Sequence, residues 1–299
     1  MKKNPDRYIS EFLYRFYRKH TASFLANVYK AGITGASKDI HKARLDVKKI
    51  MAILDLLQIV RSGKEKDPGY ERIFKKLYQA SGSIREIQVN QLLLTKSGVG
   101  ATGLSLYRVE LQKQERDRTR EFLQVIRKFR EKSLTHIEGK IRKEIFEITS
   151  RSLKKKTSRY VDTKTAFFTK RPVKVNDEKA LHTVRQHLKE LSTVLTLVLS
   201  VKFSEKFEQI VERLNATEIM IGNWHDHVVL ADSITDFLDR AAKPSEQPLE
   251  QIRNYLETLV ESNSKEFVRI NSELDRMIDT GLFPDHQDKM HTPADVLSQ

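Results

Sequence analysis

The chain has 299 residues, and its 54 lysines and arginines against 40 acidic residues give a formal net charge of +14. This excess adds self-repulsion to a compact fold, so it points to a polyanionic partner. With 39% hydrophobic residues the chain is too apolar for a disordered protein, and the absence of cysteine excludes disulfide scaffolds, cysteine-ligated zinc and thiol catalysis. No apolar run is long enough to span a membrane and no signal-peptide core is present, so we expect a cytoplasmic protein.

Apolar residues recur at spacings of three and four along the whole chain, which predicts helices and no strands. In chain order, the predicted helices cover about 6–30, 37–60, 68–80, 84–96, a long helical stretch to 156, and then 177–201, 203–220, 225–241 and 246–279. We therefore predict an all-α fold in a single domain over 1–299. Its first helical half is expected at about 5–160, a basic connector at 161–176, a second half at 177–280 and a tail at 281–299.

The charge is distributed unevenly along the chain. Residues 140–174 contain twelve basic and three acidic residues, whereas the chain from Pro244 onwards contains eleven acidic and five basic residues. We therefore expect the anion site in the first 243 residues and an acidic scaffold after them. A basic cluster within 140–174 is predicted to extend that site; it comprises Arg151, Lys154, Lys155 and Arg159.

The most informative feature is an internal repeat. The pattern apolar-His-x-x-Arg-x-x-apolar-Lys-x-apolar occurs once from residue 40 and again from residue 181. At 100° per residue, its His, Arg and Lys form one narrow cationic stripe beside an apolar core face. The stripe residues are His41, Arg44, Lys48 and the adjacent Lys49 in the first copy, and His182, Arg185 and Lys189 in the second. We expect both stripes to face the seam between two helical halves related by a pseudo-two-fold axis.

Each copy is followed about 40 residues later by a glycine and, four residues further on, a carboxylate: Gly82 with Glu86, and Gly222 with Asp226. The glycines are expected to end one helix, and the carboxylates to lie in the first turn of the next. There each acid could cap its helix or fix a neighbouring His or Arg through a charged hydrogen bond. Arg85 lies inside the first of these segments and is a further candidate contact.

At these residues the chain resembles the CHAD family, the conserved-histidine α-helical domain. The family signature is a helix of the form His-x-x-Arg-x-x-x-(Lys/Arg)-(Lys/Arg), repeated in the second half and followed by Gly-x-x-Arg-Asp or Gly-x-x-x-Asp. The resemblance covers about residues 5–280. It implies two four-helix bundles around a basic central channel that binds inorganic polyphosphate, and in some members an association with polyphosphate granules.

The chain departs from the family pattern at three positions: Glu86 replaces Asp, Ser192 stands where Arg is frequent, and His225 stands where the first half has Arg85. The second half is therefore expected to hold anions less firmly. Polyphosphate carries about one charge per phosphate, so it requires cations along a track, and the stripes supply them. We accordingly expect non-catalytic binding without metal or cofactor.

Two alternatives stay open. Nucleic acid is the second candidate partner, although Phe12, Phe16, Phe122 and Phe129 fall on core stripes and are not expected to stack on bases. The dipeptide His225-Asp226, with His182 or His187 upstream, would suit a metal-dependent phosphohydrolase of the HD type.

Two other signals receive structural interpretations. The glycine pattern at 98–103 is interpreted as an interhelical loop, because a dinucleotide site requires a preceding strand. The isolated histidines, which are expected on the surface or in the tail, are His20, His136, His286 and His291. Trp224 is expected to be a core anchor at a Gly222 turn.

Overall fold

The computed structural model describes residues 5–61, 68–97, 104–128, 131–170, 178–201, 205–240 and 247–279. These ranges form nine α-helices and no strand, so the predicted all-α fold class is confirmed. The helices are α1 (Pro5–Thr34), α2 (Ser37–Arg61), α3 (Pro68–Lys96), α4 (Ser105–Arg127), α5 (Glu131–Phe146), α6 (Ser150–Lys170), α7 (Glu178–Val201), α8 (Glu205–Arg240) and α9 (Gln247–Asp279).

Consecutive helices pack side by side in two series, α1 to α4 and α7 to α9, while α5 packs on α1 and α6 on α2. Between the series, α3 contacts α8 and α2 contacts α7. One buried apolar cluster is shared by α3, α4, α8 and α9, with Tyr107 and Ile234 among its members. The two series therefore share a core, and their seam brings the two repeated helices together. The pseudo-two-fold relation remains a prediction.

The helix that carries the first motif copy begins immediately after a tight turn. Gly35 has a φ of 63°, a left-handed conformation that glycine adopts without the steric cost of a Cβ, and its N–H donates to the Ala31 carbonyl at 2.8 Å. The backbone N–H of Ala36 donates to the Thr34 hydroxyl at 3.1 Å. This turn fixes the start of α2 and thereby the direction of its stripe.

The expected helix ends at Gly82 and Gly222 are wrong. Helix α3 runs through Gly82 and α8 runs through Gly222, so the acids that follow them lie within helices and cap nothing. A glycine inside a helix costs only about 1 kcal/mol relative to alanine, and tertiary packing of long helices outweighs that cost. Trp224 is a buried anchor, as expected, but it lies inside α8 and not at a turn.

The predicted stretch up to residue 156 and the connector after it also require correction. The stretch is divided into α4, α5 and the first part of α6, and residues 161–170 continue α6 instead of forming a connector. Helix α6 begins after Thr149, where the N–H of Ser152 donates to the Thr149 hydroxyl and the N–H of Thr149 donates to the Ser152 hydroxyl, each at 3.1 Å. Residues 171–177, Phe129, the loop at 98–103 and the tail from 280 lie outside the described residues.

The expected surface position of His20 is wrong. Its side chain is buried between α1 and α2, where Nδ1 lies 2.9 Å from a carboxylate oxygen of Asp46. Asp46 also accepts hydrogen bonds from Ser23 at 2.7 Å and Asn27 at 3.0 Å. Burial lowers the pKa of His20, although the bond to Asp46 acts in the opposite direction. This network joins the motif helix to α1 on the side away from the stripe.

Candidate functional site

A cavity of about 290 Å³ lies at the seam, where α2, α3, α7 and α8 meet. Both copies of the motif and both glycine segments contribute to its wall. The lining residues are Arg44, Gly82, Arg85, Glu86, Val89, Asn90, Arg185, Lys189, His225, Asp226 and Val229. The predicted convergence of the two stripes on one site is therefore observed for both arginines and for Lys189.

Each glycine provides the space for the arginine of the neighbouring motif helix. A Cβ on Gly82 would lie 3.2 Å from Nη1 of Arg44, and a Cβ on Gly222 would lie 3.4 Å from Nη2 of Arg185. A Cβ at Gly82 would therefore press on the guanidinium of Arg44, whereas a Cβ at Gly222 would lie at the edge of ordinary contact with that of Arg185. The repeated Arg and Gly form one structural unit, in which the glycine lets a charged side chain lie against a helix backbone.

The two arginines have different partners on the side of the guanidinium that faces away from the glycine. Arg44 donates from Nη1 to the Tyr78 carbonyl at 2.6 Å, and its guanidinium lies 3.8 Å from the centre of the Tyr78 ring. Arg185 instead lies 4.0 Å from a carboxylate oxygen of Glu218. Tyr78 and Glu218 each precede their glycine by four residues, so they occupy matching positions. No acid among the described residues forms an ion pair with Arg44, whereas the charge of Arg185 is partly neutralised.

Tyr78 also joins the two motif copies. Nζ of Lys189 donates to the Tyr78 hydroxyl at 3.1 Å, so one ring contacts Arg44 from the first copy and Lys189 from the second. Burial acts to raise the pKa of Tyr78, but Lys189 and Arg44 outweigh it and lower that pKa overall. The ring thus positions cations from α2 and α7 on one side of the cavity.

Three histidines surround the cationic residues. The ring centroids of His182 and His225 are 5.3 Å apart, and burial, followed by Arg185 and His182, lowers the pKa of His225 to about 4. Burial also lowers the pKa of His41, with further contributions from Arg85 and Arg44. His41 and His225 are therefore neutral at pH 7 in the free protein, and an anion beside them would favour their charged forms.

The two carboxylates lie on opposite helices of the seam, Glu86 on α3 and Asp226 on α8. Burial raises the pKa of Asp226, although Arg185 and Arg85 oppose this shift. Burial also raises the pKa of Glu86, opposed by Arg118 and reinforced by Asp226. Asp226 therefore interacts with Arg185 and Arg85 of the seam and with Glu86, whereas the arginine that acts on Glu86 is Arg118 of α4. The supporting role of the two acids stays a prediction.

Most of the cavity cations lack a close ion pair with an acid among the described residues, although Arg85 acts on the pKa of Asp226. Within the described part of the chain, no carboxylate forms an ion pair with Arg44, Arg85 or Lys189. Nε of Arg185 and Nδ1 of His41 are buried without a hydrogen-bond partner among the described residues. A buried donor without a partner costs free energy, so an acceptor-rich ligand that reaches Nε of Arg185 would gain from satisfying it.

The remaining predicted contacts lie at the edge of the cavity or away from it. Lys48 is exposed and close enough to Tyr78 to influence its pKa, whereas Lys49 lies on the side of α2 that faces His20. Arg151, Lys155 and Arg159 are exposed along α6, and Lys154 is partly exposed beside them. None of these four α6 residues lines the cavity, and their role as an extension stays a prediction.

Sequence reasoning missed Tyr78 and Asn90. Asn90 is 2% exposed, lines the cavity and has an Oδ1 without a partner among the described residues. Tyr78 lies four residues before Gly82, as Glu218 lies four residues before Gly222. This matched position could have identified Tyr78, but a tyrosine and a glutamate share no chemistry that would mark them as counterparts. Asn90 has no such match, because Leu230 occupies the corresponding position.

Other site types were also assessed. Within the described ranges, no group of three or more His, Asp or Glu side chains is arranged to hold a metal ion. The segment before residue 98 is helix α3, so the strand that a dinucleotide fingerprint requires does not precede it. None of the described helices combines the length and apolar character needed to cross a membrane.

Comparison with known proteins agrees with this geometry. The family model of the CHAD domain matches residues 15–235. Among solved structures, the crystal structure of the CHAD domain from the plant Ricinus communis is similar, with a TM-score of 0.68, 16% sequence identity and coverage of 93% of this chain and 92% of that chain. No curated protein matches the chain. The likeness to the plant domain shows a common fold, and the family match shows that the chain belongs to the CHAD domain family.

Proposed function

We propose that the chain binds inorganic polyphosphate in the seam cavity and does not catalyse its conversion. The observation that carries the proposal is the convergence of Arg44, Arg85, Arg185 and Lys189 on one cavity, three of them without a close ion pair to an acid among the described residues. The four cations outnumber the two acids of the lining, Glu86 and Asp226, so the cavity keeps an excess of positive charge that an anionic ligand neutralises.

The types of residue suit a chain of phosphates. A guanidinium group can donate two parallel hydrogen bonds to phosphate oxygens, and a lysine supplies a mobile point charge. Because the cations come from helices on both sides of the seam, successive phosphates of one flexible chain could be bound by both motif copies. Family membership supports the same ligand class, since polyphosphate binding is a general property of CHAD domains.

The two halves are expected to contribute unequally. Arg44 lies against the neutral ring of Tyr78, whereas Arg185 lies near the carboxylate of Glu218. His225 occupies the position that matches Arg85, so the second half also has one permanent charge fewer. We therefore propose that the first half, together with Lys189, binds the ligand more strongly.

Nucleic acid is disfavoured because the described lining of the cavity offers no free aromatic ring on which a base could stack. None of the residues that line the cavity is Phe, Tyr or Trp, and the adjacent Tyr78 ring is already occupied by Arg44 and Lys189. Single-strand binders gain about 1–3 kcal/mol per base from stacking on aromatic side chains. A ligand without bases, such as polyphosphate, loses no binding free energy in a site without free aromatic rings.

The test is a competition at increasing salt concentration between long-chain polyphosphate and single-stranded DNA, matched by phosphate concentration. We expect polyphosphate to displace DNA at near-physiological salt. Equal competition, or preferential binding of DNA, would show a generic basic surface and would contradict the proposal.

Two further parts of the proposal can be tested separately. Incubation with polyphosphate should release no orthophosphate and leave the chain length unchanged, with or without added Mg²⁺ or Mn²⁺. In cells that store polyphosphate, the protein is expected to sediment with the granules and to lose that association when Arg44 and Arg185 are both changed to Gln.

A further inference from the structure

A second concave surface lies between α8 and α9, on a different face of α8 from the seam cavity. It is a groove of about 480 Å³, with Trp224 and Phe267 at its base, their ring centroids 5.6 Å apart. Val228 and Ala231 line the α8 side. The Trp224 indole N–H donates to the backbone carbonyl of Asn263 at 3.2 Å, which fixes the ring in place.

The α9 side of the groove is an exposed apolar ridge. Val260, Ser264 and Val268 follow each other at four-residue spacing, and the two valines are 49% and 64% exposed. In the first series of helices, α1 packs along α2 and also contacts α4. Helix α6 precedes α7 in the chain as α1 precedes α2. Among the described residues, however, α6 packs more on α2 than on α7 and makes no extended contact with α9. Among the described helices, none covers the ridge.

The lining of the groove is acidic, in contrast to the basic seam. Among the described residues, Glu178 and Asp232 line it and no Lys or Arg does. Glu257 and Glu261 are exposed on α9 near the Val260 end of the ridge, whereas Lys265 and Arg269 are exposed near its Val268 end. An apolar groove with acidic edges complements an apolar helix face flanked by basic residues. The same acidic edges would repel an anionic lipid surface.

We propose that this groove binds an amphipathic helix of a partner protein, with apolar residues at i, i+4 and i+7 and Lys or Arg beside them. The inference does not depend on polyphosphate binding. Because groove and cavity use different faces of α8, the protein can hold its partner and its anion at the same time.

The chain itself supplies the reporter for a test. Trp224 is the single tryptophan of the sequence and lies at the base of the groove, so its fluorescence reports occupancy of this surface directly. The probe is an 18-residue peptide with leucines on one helical face and lysines on the other, titrated into the full chain without polyphosphate. We expect a saturable change of Trp224 emission at one peptide per chain. A scrambled peptide of the same composition should produce no such change, and equal binding of both peptides would overturn the proposal.

A matched pair of variants separates groove binding from general attraction to acidic surfaces. Val268→Asp adds a negative charge that should attract the peptide, yet we expect it to weaken binding about tenfold or more, because it places a carboxylate on the apolar ridge. Val109→Asp, on α4, is the control, since Val109 is 62% exposed and lies outside the groove. Unchanged or tighter binding by Val268→Asp would overturn the proposal.

Two other occupants have distinct signatures. If Phe283→Asp, in the last twenty residues, shifts the Trp224 emission of the chain alone, the groove holds this chain's own end and the proposal is wrong. A dimer in light scattering that Val268→Asp converts to monomer would identify a second copy as the occupant and would also overturn it.

Discussion

The close approach of Arg44 to Gly82 can be tested with one methyl group. In Gly82→Ala, the new Cβ would lie 3.2 Å from Nη1 of Arg44, so the guanidinium must move by a few tenths of an ångström. That movement lengthens the 2.6 Å hydrogen bond to the Tyr78 carbonyl and displaces the guanidinium from the Tyr78 ring. Charged hydrogen bonds contribute about 1.5–3 kcal/mol, so losing part of one offsets the helix-propensity gain of about 1 kcal/mol.

The control is Gly139→Ala, in the middle of α5, where a Cβ would meet nothing within 4 Å. Urea unfolding should show that Gly139→Ala raises the free energy of unfolding by about 0.5–1 kcal/mol and that Gly82→Ala raises it little or not at all. Polyphosphate affinity should fall about three- to tenfold in Gly82→Ala only, as expected for a weakened charged contact. Equal stabilisation by both substitutions, with unchanged affinity, would refute the role assigned to this glycine.

Three further predictions concern the seam. The pKa of His225 is lowered to about 4 in the folded state, so the unfolded chain binds a proton at this residue more readily. The free energy of unfolding should therefore fall by about 1–2 kcal/mol, after allowance for partial exposure, as pH drops from about 6.5 to 4. In acid denaturation scans, His225→Asn should lack this loss. Polyphosphate should bind more tightly at pH 5.5 than at pH 8 and should take up protons on binding, because a bound anion raises the pKa values of His41 and His225. Titration calorimetry in two buffers of different ionisation enthalpy measures this proton uptake. An affinity independent of pH would contradict the prediction. Tyr78→Phe should weaken binding less than Tyr78→Ala, since it retains the ring beneath Arg44 and loses only the hydroxyl that accepts a hydrogen bond from Lys189. Equal losses in a binding assay would argue against the ring as a positioning surface.

The all-α class and the two cationic stripes could be predicted from the sequence because both depend on spacing within a helix. Periodicity identifies the buried face of α2 and α7, and the stripe that lies beside it follows from geometry alone. The repeat then indicated that both stripes belong to one site, and Arg44, Arg185 and Lys189 line one cavity.

What could not be predicted depends on contacts between helices. Glycine signals the end of a helix in isolation, and no local pattern shows that Gly82 and Gly222 accommodate arginines from other helices. His20 was misplaced for the same reason, since its partner Asp46 lies on a different helix. The roles of Tyr78 and Glu218 likewise depend on the register between α2 and α3 or between α7 and α8, which sequence spacing does not encode.

The measurement that tests the central claim most directly compares two double variants of equal net charge. Arg44→Gln with Arg185→Gln removes one arginine from each motif copy, whereas Arg116→Gln with Arg213→Gln removes two exposed arginines outside the cavity. We expect the cavity pair to weaken binding of long-chain polyphosphate about a hundredfold at near-physiological salt and the control pair to weaken it less than threefold, with helical circular dichroism unchanged in both. Equal losses in the two double variants would show that the overall charge binds the polyanion and that the seam cavity does not.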